Sequence, residues 1–230
     1  MNCHDPFYFF LIAFKFINNL FRTPLNGIIG IIDINSKSSD MELIEKNRQK
    51  ARCAAQQLLS LLNEVLDMSR LEHGETVLTN ELFHLSELTA ALQDTMQIHA
   101  ADSGIILICD SYTVPSNCER VYGSPIYIQK IFFNIIENAI KYNKEDGWVH
   151  VSLNADYQYF YLKVEDSGIG IPEDSLEHIY ERFYRVDKSH SREIGGTGLG
   201  LAITRNAILM HRGAIKVFST EGEGTLFTVR

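Results

Sequence analysis

Two amide side chains and a lysine lie at helical spacing in one apolar segment of the chain. Asn134, Asn138 and Lys141 are separated by four and three residues, so a helix would place them on or near one face. The amide oxygen of Asn138 is a hard ligand that Mg²⁺ accepts, and the Lys141 ammonium is a point charge for a phosphate oxygen. This spacing therefore suits a face that holds a metal-bound phosphate group.

Two glycine-containing motifs follow this segment. Asp166, Gly168 and Gly170 form Asp-Ser-Gly-Ile-Gly after an apolar run, and Gly195 to Leu201 read Gly-Gly-Thr-Gly-Leu-Gly-Leu at the start of a predicted helix. A buried carboxylate can accept a hydrogen bond from the amine of adenine, and glycines let the backbone approach the base closely. Backbone N–H groups at a helix start can hold phosphates, because the helix dipole favours negative charge there.

Each motif alone has a more ordinary explanation. Paired asparagines on a helix are usually surface residues, a lone Asp-x-Gly-x-Gly is usually a turn, and a Gly-Gly-Thr-Gly run is more often a mobile loop than a phosphate site. The order of the motifs within one stretch of the chain is the specific signal, and it indicates a nucleotide site.

The composition indicates a folded, soluble protein that does not bind nucleic acid. Of its 230 residues, 45% are hydrophobic and 22% charged, which allows a buried core in one large or two small domains. The formal net charge is -8 and there is no long Lys/Arg run, whereas binding nucleic acid needs clustered positive charge. The four cysteines lack CxxC or CxxH spacing, which favours buried thiols in a reducing cytoplasm over a zinc site or redox pair.

The most apolar stretch of the chain does not predict a complete membrane span. It runs from Phe7 to Ile17 and is interrupted by Lys15, whereas about 20 apolar residues are needed to cross a bilayer as a helix. The stretch also lacks the basic start and the cleavage site of a signal peptide. The sequence therefore predicts a cytoplasmic location, with a membrane reached only through a missing upstream segment.

Residues 10–73 are predicted to form a helical hairpin. Apolar residues recur at helical spacing on both sides of a polar segment that ends in Asp40, which suits a turn with an N-cap. The second helix carries a stripe too wide for one antiparallel partner: Leu58, Leu59, Leu61, Leu62, Val65 and Leu66. A four-helix bundle made from two chains would cover this stripe. The alternative is that the hairpin packs on the rest of its own chain.

Residues 80–230 are predicted to form a second domain, an α+β sandwich. A segment without sustained periodicity, around residues 73–83, separates it from the hairpin. Apolar runs typical of strands lie at Ile105–Cys109, Trp148–Leu153, Tyr159–Val164, Ala214–Phe218 and Thr225–Val229. Helical patterns lie between them at Leu85–Ala101, Ser124–Tyr142, Glu173–Tyr184 and Gly200–His211. Strands that follow one another at hairpin-like spacing near the C-terminus, segregated from the helices, predict the sandwich.

Taken together, the motifs resemble the ATP-binding domain shared by sensor histidine kinases, type II topoisomerases, Hsp90 chaperones and MutL mismatch-repair proteins. Where the ATPases of this group have a glutamate that activates water, the chain has Asn134, and an amide cannot accept a proton from water at neutral pH. Phe183 with Arg185 resembles the aromatic box of the kinases, and Val186–Glu193 resembles their mobile lid. The basic lid residues, which would contact phosphate or stay solvated, are Lys188, His190 and Arg192.

The resemblance to the kinases implies ATP and Mg²⁺ as cofactors, with Asn138 as the metal ligand. It also implies a set of nucleotide-binding positions. These are Asn134, Asn138, Lys141, Tyr142, Asp166, Gly168, Gly170, Phe183, Arg185, Gly196, Thr197, Gly198, Leu199, Gly200 and Thr225.

The first helix resembles the dimerisation motif of the same kinases but lacks its reactive histidine. The segment from Arg22 to Gly30 matches the motif, and aligning on Arg22 places Asn19 at the phosphoacceptor histidine and Leu20 at its acidic neighbour. Attack on a γ-phosphate needs an imidazole lone pair assisted by a carboxylate, and these two residues supply neither. Thr23 stands where the family orients water to dephosphorylate its partner, which is a weak indication of phosphatase activity.

The resemblance thus implies a histidine kinase core that passes the γ-phosphoryl group of ATP to a histidine and then to the receiver domain of a response regulator. Self-phosphorylation at Asn19 is not expected. The chain would form a homodimer, or a heterodimer with another kinase. In such a dimer it would act as a trans phosphoryl donor or as a non-catalytic partner. A third possibility, a slow ATPase, is disfavoured by Asn134. Two explanations stay open: a degenerate kinase, or residues 1–21 that do not descend from the family's helix.

Overall fold

The structure is a computed structural model that describes residues 6–72, 78–110, 118–186 and 196–230, with side chains described from residue 21 onward except at position 72. Contacts divide the chain into two units, Met1–Asp67 and Met68–Arg230. The predicted domain boundary includes residues 73–77, which lie outside the described residues, so the division into 10–73 and 80–230 stays a prediction. No helix in the described part of the chain is long and apolar enough to cross a membrane.

The first unit contains a helical hairpin, as predicted. Helix α1 spans Pro6–Asn35 and helix α2 spans Met41–Glu72, and α1 continues through Pro24. The Asp40 carboxylate caps α2, because its Oδ1 atom accepts hydrogen bonds from the N–H groups of Glu42 at 3.0 Å and Leu43 at 3.2 Å. The two helices are also joined by a hydrogen bond of 2.9 Å from Asn47 Nδ2 to Asn35 Oδ1.

Both helices of the hairpin expose large apolar side chains. On α2, half of the predicted stripe is half-buried, namely Leu58, Leu61 and Val65, and the other half is exposed, namely Leu59, Leu62 and Leu66. On α1, the exposed apolar residues include Leu25, Ile29 and Ile32. The hairpin therefore leaves an apolar surface on each helix that the other helix does not cover.

The second unit is an α+β sandwich, which confirms the predicted fold class. Its helices are α3 (Leu85–Asp102), α4 (Pro125–Lys141) and α5 (Gly200–Met210). Its strands are β1 (Glu81–His84), β2 (Ile106–Cys109), β3 (Arg120–Gly123), β4 (Trp148–Ala155), β5 (Phe160–Asp166), β6 (Ile215–Thr220) and β7 (Gly224–Val229).

Five of these strands form one mixed sheet in the order β2-β4-β5-β7-β6, in which β2 and β4 are parallel and the other neighbours antiparallel. On one face of the sheet, buried apolar residues occupy alternate positions along the strands. They include Val149, Leu162, Val164, Phe227 and Val229. Helix α4 packs on this face, because it contacts β4, β5, α3 and α5. The core of the unit therefore lies between α4 and the sheet.

The structure differs from the sequence prediction at several short elements. Residues 173–184 form a 3-10 helix, Glu173–Ser175, followed by turns, and their backbone bonds span three residues, as from His178 N–H to the Ser175 carbonyl. The predicted α-helix there is wrong, because Phe183 adopts a φ of 62° that no right-handed helix contains. The four-residue strands β1 and β3, which pair with each other, were not predicted. The expectation of buried thiols is wrong for Cys53, which is exposed on α2.

Removing the cap of α2 tests the hairpin. We expect Asp40→Ala to lower the free energy of unfolding by about 1 kcal/mol, because two N–H groups at the helix start lose their acceptor. Urea denaturation followed by circular dichroism measures this change. Asp40→Asn is the matched control, since its amide oxygen keeps the acceptor; an equal loss of stability in both variants would contradict the capping role.

Candidate functional site

Helix α4 lies at the centre of the candidate site and has two different faces. Ser124 precedes the helix and Pro125 occupies its first turn, where a missing N–H group costs nothing. The buried side chains of α4 are apolar: Tyr127, Ile128, Ile131, Phe132, Ile135, Ile136, Ala139 and Ile140. The predicted site residues Asn134, Asn138 and Lys141 are half-buried instead. The burial of the apolar face therefore turns the two amides and the lysine away from the core.

Asn134 joins α4 to the start of α5. Its amide nitrogen donates hydrogen bonds to the Gly200 carbonyl at 3.0 Å and to Thr204 Oγ1 at 3.1 Å. Thr204 is fully buried, so this contact is shielded from water. The amide thus fixes the first turn of α5, whose preceding loop carries the glycine-rich motif. The side chain of Asn138, one turn further along α4, makes no hydrogen bond to any described residue, which leaves its oxygen available to a ligand.

Lys141 lies beside the glycine-rich segment. A Cβ atom on Gly196 would come within 2.7 Å of the Lys141 Nζ atom, and Gly196 has a φ of 131°. The same ammonium lies 5.5 Å from the centre of the Tyr142 ring. The backbone conformation at position 196 therefore favours glycine, and a side chain there would displace the end of the lysine. The structure brings Lys141, Tyr142 and Gly196 together, as the sequence predicted for one site.

Asp166 ends strand β5 and is held by two backbone N–H groups. Its Oδ1 atom accepts hydrogen bonds from Gly168 at 2.8 Å and from Thr225 at 3.2 Å. The residue is only 9% exposed, and this burial raises the pKa of its carboxyl to about 6, although both hydrogen bonds act in the opposite direction. The Oδ2 atom has no donor among the described residues, so it is the acceptor that can serve a ligand.

The two glycines after Asp166 are explained by packing of the loop itself. A Cβ atom at Gly168 would collide with the Tyr142 carbonyl oxygen, and one at Gly170, where φ is 68°, would collide with the Thr220 carbonyl oxygen. The Ile169 N–H group donates to the Tyr142 carbonyl at 3.0 Å, which fastens the loop to the end of α4. These contacts account for both glycines without a ligand, and their predicted closeness to a base stays a prediction.

Two residues that the sequence analysis missed fasten the same region. The amide nitrogen of Asn143 donates to the carbonyls of Ala139 and Trp148, each at 3.0 Å, and its oxygen accepts a bond from Ser167 Oγ at 3.1 Å. Ser167 Oγ in turn accepts a bond from the Trp148 N–H group at 2.8 Å. Asn143 and Ser167 therefore tie the end of α4 to β4 and β5. The sequence offered only a weak signal for them, an asparagine just after a helix end.

The residues that flank the predicted lid contact each other. The Phe183 N–H group donates to the Gly198 carbonyl at 2.9 Å, and Arg185 Nη1 donates to the Gly196 carbonyl at 2.8 Å. Phe183 and Gly198 have φ values of 62° and 70°. The predicted lid residues, which lie outside the described residues, include Lys188, His190 and Arg192.

The glycine-rich motif leads into α5 through a tight turn. The Thr197 hydroxyl accepts a hydrogen bond of 3.0 Å from the Leu199 N–H group. Leu199 is 1% exposed, and its carbonyl accepts the first bond of α5, from Ile203 at 2.9 Å. The predicted positions Gly196, Thr197, Gly198, Leu199 and Gly200 thus form one continuous turn at the start of α5, next to Asn134 and Lys141 of α4. Backbone N–H groups in this position suit an anionic ligand.

The two site residues predicted on the first unit lie in α1. Asn19 belongs to the helix, although its side chain is not among those described, and Thr23 is exposed. Neither the phosphoacceptor position nor the phosphatase position is tested by these observations, and both stay predictions.

Two family models match the chain. The model of the histidine kinase-, DNA gyrase B- and HSP90-like ATPase matches residues 123–230. The model of the His Kinase A (phospho-acceptor) domain matches residues 21–74, so that match begins after Asn19.

Curated proteins with similar sequences include two bacterial kinases and a hybrid signal transduction protein. The chain is 34% identical over 221 residues to the hybrid signal transduction protein dokA of Dictyostelium discoideum, and 32% identical over 211 residues to the circadian input-output histidine kinase CikA of Synechococcus elongatus. It is 31% identical over 213 residues to the sensor protein kinase WalK of Staphylococcus saprophyticus. These alignments cover 91%, 90% and 91% of the chain but 13%, 28% and 34% of those proteins, so the chain spans about a third of their length or less.

Solved structures of similar fold include two kinases. The full-length ShkA in complex with AMPPNP superimposes with a TM-score of 0.68 at 27% identity, covering 91% of the chain and 43% of ShkA. The Acinetobacter baumannii histidine kinase AdeS gives a TM-score of 0.66 at 23% identity, covering 90% of the chain and 94% of AdeS, which supports the fold alone.

The raised pKa of Asp166 predicts a pH dependence of stability. The raised pKa means that the folded state favours the neutral acid over the carboxylate. The protonated side chain therefore makes its full contribution to stability below the unfolded-state pKa of 3.8, and this contribution is lost as pH rises to about 6. Asp166→Asn keeps an oxygen acceptor for both N–H groups and does not titrate there. We expect the stability of Asp166→Asn relative to the original chain to increase between pH 4 and 7 by on the order of 2 kcal/mol.

Urea denaturation at a series of pH values measures this difference. Asp94→Asn, which removes an exposed carboxylate on α3, is the control for nonspecific loss of charge. Parallel pH profiles for the original chain and Asp166→Asn would contradict the burial of an ionisable carboxylate at this position.

Proposed function

Because the chain belongs to the sensor histidine kinases, as its family matches and relatives show, we propose that its second unit binds Mg-ATP and donates the γ-phosphoryl group to a histidine of another chain. One observation carries this proposal. The polar face of α4 contacts both the segment 196–200, through Asn134 and Lys141, and the loop that follows Asp166, through the Tyr142 carbonyl.

The polar groups around α4 can be matched to the adenine, the phosphates and the metal ion of Mg-ATP. The Oδ2 atom of Asp166 is the acceptor for the adenine amine, at the end of β5. Lys141 and the N–H groups that lead into α5 form the cationic end, where phosphates would bind. Asn138 lies on α4 between Asn134 and Lys141 and would supply an oxygen ligand to Mg²⁺. Bound Mg-ATP supplies an activated phosphoryl group, and the residues of the chain bind and orient it.

Asn134 favours phosphoryl transfer to a protein over hydrolysis. An amide takes no proton from water at neutral pH, so the residue cannot serve as the general base that an ATPase needs. Its nitrogen is in addition engaged by the Gly200 carbonyl and by Thr204, which gives it a positioning role at the start of α5. Phosphate held in this site is therefore kept for an acceptor other than water.

The acceptor is proposed to lie on a second chain. Asn19 and Leu20 provide neither a nucleophile nor a carboxylate at the family's reactive position. The exposed apolar residues of α1 and α2, such as Ile29 and Leu62, would be covered in a four-helix bundle of two chains. We infer that the chain forms a homodimer or a heterodimer with another kinase. In the heterodimer the partner kinase carries the reactive histidine, and the receiver domain of a response regulator accepts the phosphoryl group in turn.

The cellular setting follows from the cofactor. ATP and response regulators are substrates of the cytoplasm, so the kinase core is proposed to act there, attached to a membrane only if an upstream segment provides an anchor. The first unit's Thr23, exposed on α1, is the position at which a phosphatase activity toward the regulator would reside.

Removing the amide of Asn138 tests the proposed metal ligand. We expect Asn138→Ala to weaken Mg-ATP binding by about tenfold or more, which corresponds to about 1.4 kcal/mol, and to reduce the dependence of binding on Mg²⁺. Isothermal titration calorimetry with and without Mg²⁺ measures both effects. Asn154→Ala, on the far part of β4, is the matched control and should bind as the original chain does. Equal Mg²⁺ dependence in all three proteins would contradict the assignment.

Mixed-dimer phosphorylation tests the donor role. The chain is combined with a related kinase that has its phosphoacceptor histidine but a disabled ATP site, and γ-labelled ATP is added with Mg²⁺. We expect acid-labile, base-stable label on the kinase and none on the chain, because only the chain binds ATP and only the kinase has the histidine. The Asn138→Ala variant in place of the original chain should lower the label, in line with its weaker binding of Mg-ATP.

Two other outcomes are informative. Label on the chain itself would contradict the reading of Asn19 as non-reactive. Absence of label on both chains, with nucleotide binding and mixed dimers confirmed in the same preparation, would contradict the donor role and leave a non-catalytic dimer partner.

A further inference from the structure

The second unit contains a cavity of about 280 Å³ between α3 and the sheet, apart from the site on α4. Eight of its twelve lining residues are apolar, and polar atoms provide nearly half of the exposed wall. Its lining residues come from two helices and three strands: Thr89, Leu92, Gln93, Met96, Leu107, Cys109, Asp110, Phe132, Ile136, Val151, Leu153 and Leu162.

The cavity exists because α3 does not cover the whole inner face of β4. Helix α3 packs mainly on α4 and β2. Along β4, Val149 and Ala155 are buried, whereas Val151 and Leu153, which point to the same face, are only half-buried. An apolar position on the inner face of a sheet is normally covered, so the half-exposed pair marks a gap in the packing of the sandwich.

The wall of the cavity changes from apolar at depth to polar at its mouth. Met96, Phe132 and Leu162 are each 2% exposed or less and form the deep wall. Gln93 and Asp110 are exposed and lie at the rim. The Asp110 carboxylate contacts the His150 Nε2 atom at 2.7 Å, so it already has a partner. A ligand that fits must therefore be apolar in its body, and a charge carried inside would be costly to bury.

The cavity and the candidate nucleotide site lie on opposite sides of α4. Phe132 and Ile136 line the cavity, and Asn134 and Asn138 each lie two residues further on, which in a helix is close to the opposite face. The same helix thus separates two binding regions of different chemistry, one polar and one apolar. A molecule in the cavity does not occupy the position of a nucleotide.

We propose that this cavity is a binding site for a small uncharged molecule with an aromatic or short aliphatic body and one hydrogen-bonding group at its outer end. Its volume is nearly twice that of a cavity of about 150 Å³ that holds benzene, so the ligand has roughly ten non-hydrogen atoms. Its apolar body contacts Met96, Phe132 and Leu162, and its polar group faces Gln93 and Asp110.

Cysteine reactivity provides the test, with indole as the probe, because indole combines an aromatic body of this size with one N–H group. Cys109 lines the cavity, and Cys53 is exposed on α2 in the other unit and serves as an internal reference. Alkylation by iodoacetamide is followed at both cysteines by peptide mass spectrometry. The reaction is run at alkaline pH, because burial and the adjacent Asp110 raise the pKa of the Cys109 thiol.

At an indole concentration about ten times its Kd, alkylation of Cys109 should slow about tenfold, because only the unoccupied fraction reacts, while the rate at Cys53 stays unchanged. Equal rates at Cys109 with and without saturating indole would overturn the proposal. This comparison in the original chain is decisive even where a variant does not fold.

Two variants and a nucleotide control sharpen the test. Val151→Phe places a ring in the cavity and should abolish the protection of Cys109, whereas Ile108→Phe, on the outer face of the neighbouring strand, should retain it. Protection should also persist with a saturating non-hydrolysable ATP analogue. Protection that survives Val151→Phe, or that the analogue removes, would overturn the assignment of indole to this cavity. Failure of nucleotide binding would refute the proposed function and leave the cavity test intact.

Discussion

The rotation of α4 about its own axis is the constraint on which the candidate site depends. Burial of a large apolar side chain is worth about 1.5–3 kcal/mol, and α4 buries several of them against the sheet, including Ile131, Phe132 and Ile135. Any rotation of the helix would expose part of that stripe. With the rotation fixed, Asn134, Asn138 and Lys141 must face the other way, toward the glycine-rich turn before α5. The polar chemistry of the site is thus held in place by apolar packing on the opposite face.

The loop after β5 shows how the same unit holds a carboxylate ready for a ligand. Asp166 is buried, and its Oδ1 atom is held by the N–H groups of Gly168 and Thr225, so only Oδ2 remains as an acceptor. Burial that raises the pKa of this group to about 6 opposes its ionised form, and the two hydrogen bonds partly offset that effect. The position of the carboxylate is therefore maintained at some expense of stability near neutral pH, which is common where a side chain serves binding.

The two units differ in how far they keep the features of their family. In the second unit, every predicted nucleotide-binding position that the structure describes lies in or beside one cluster around α4, the loop after Asp166 and the turn before α5. In the first unit, the helical hairpin and its exposed apolar surfaces are present, whereas the match to the phospho-acceptor domain begins at residue 21, after Asn19. This difference between the two units is the basis of the proposed transfer to a second chain.

The sequence by itself determined the type of fold and the positions of the long elements, and it supplied the candidate site residues as a prediction. Helices and strands with sustained apolar periodicity carry this information locally, and the five main strands appear within two residues of their predicted bounds. The N-cap of α2 was likewise evident, because Asp40 interacts with residues close to it in the chain, Ser38 before it and Glu42 and Leu43 after it. That Asn19 has no imidazole also needs no structure, whereas its alignment with the phosphoacceptor position stays a prediction.

Only the tertiary structure decided the features that depend on distant partners. The strands β1 and β3 are too short to show a period and exist because they pair with each other. Gly168 and Gly170 are required by carbonyl groups of Tyr142 and Thr220, and the partners of Asn134 lie 66 and 70 residues further along the chain. The cavity between α3 and β4 likewise arises where two elements, each regular by itself, do not pack completely against each other. Contacts of this kind arise when separate segments meet, so no local pattern in the sequence records them.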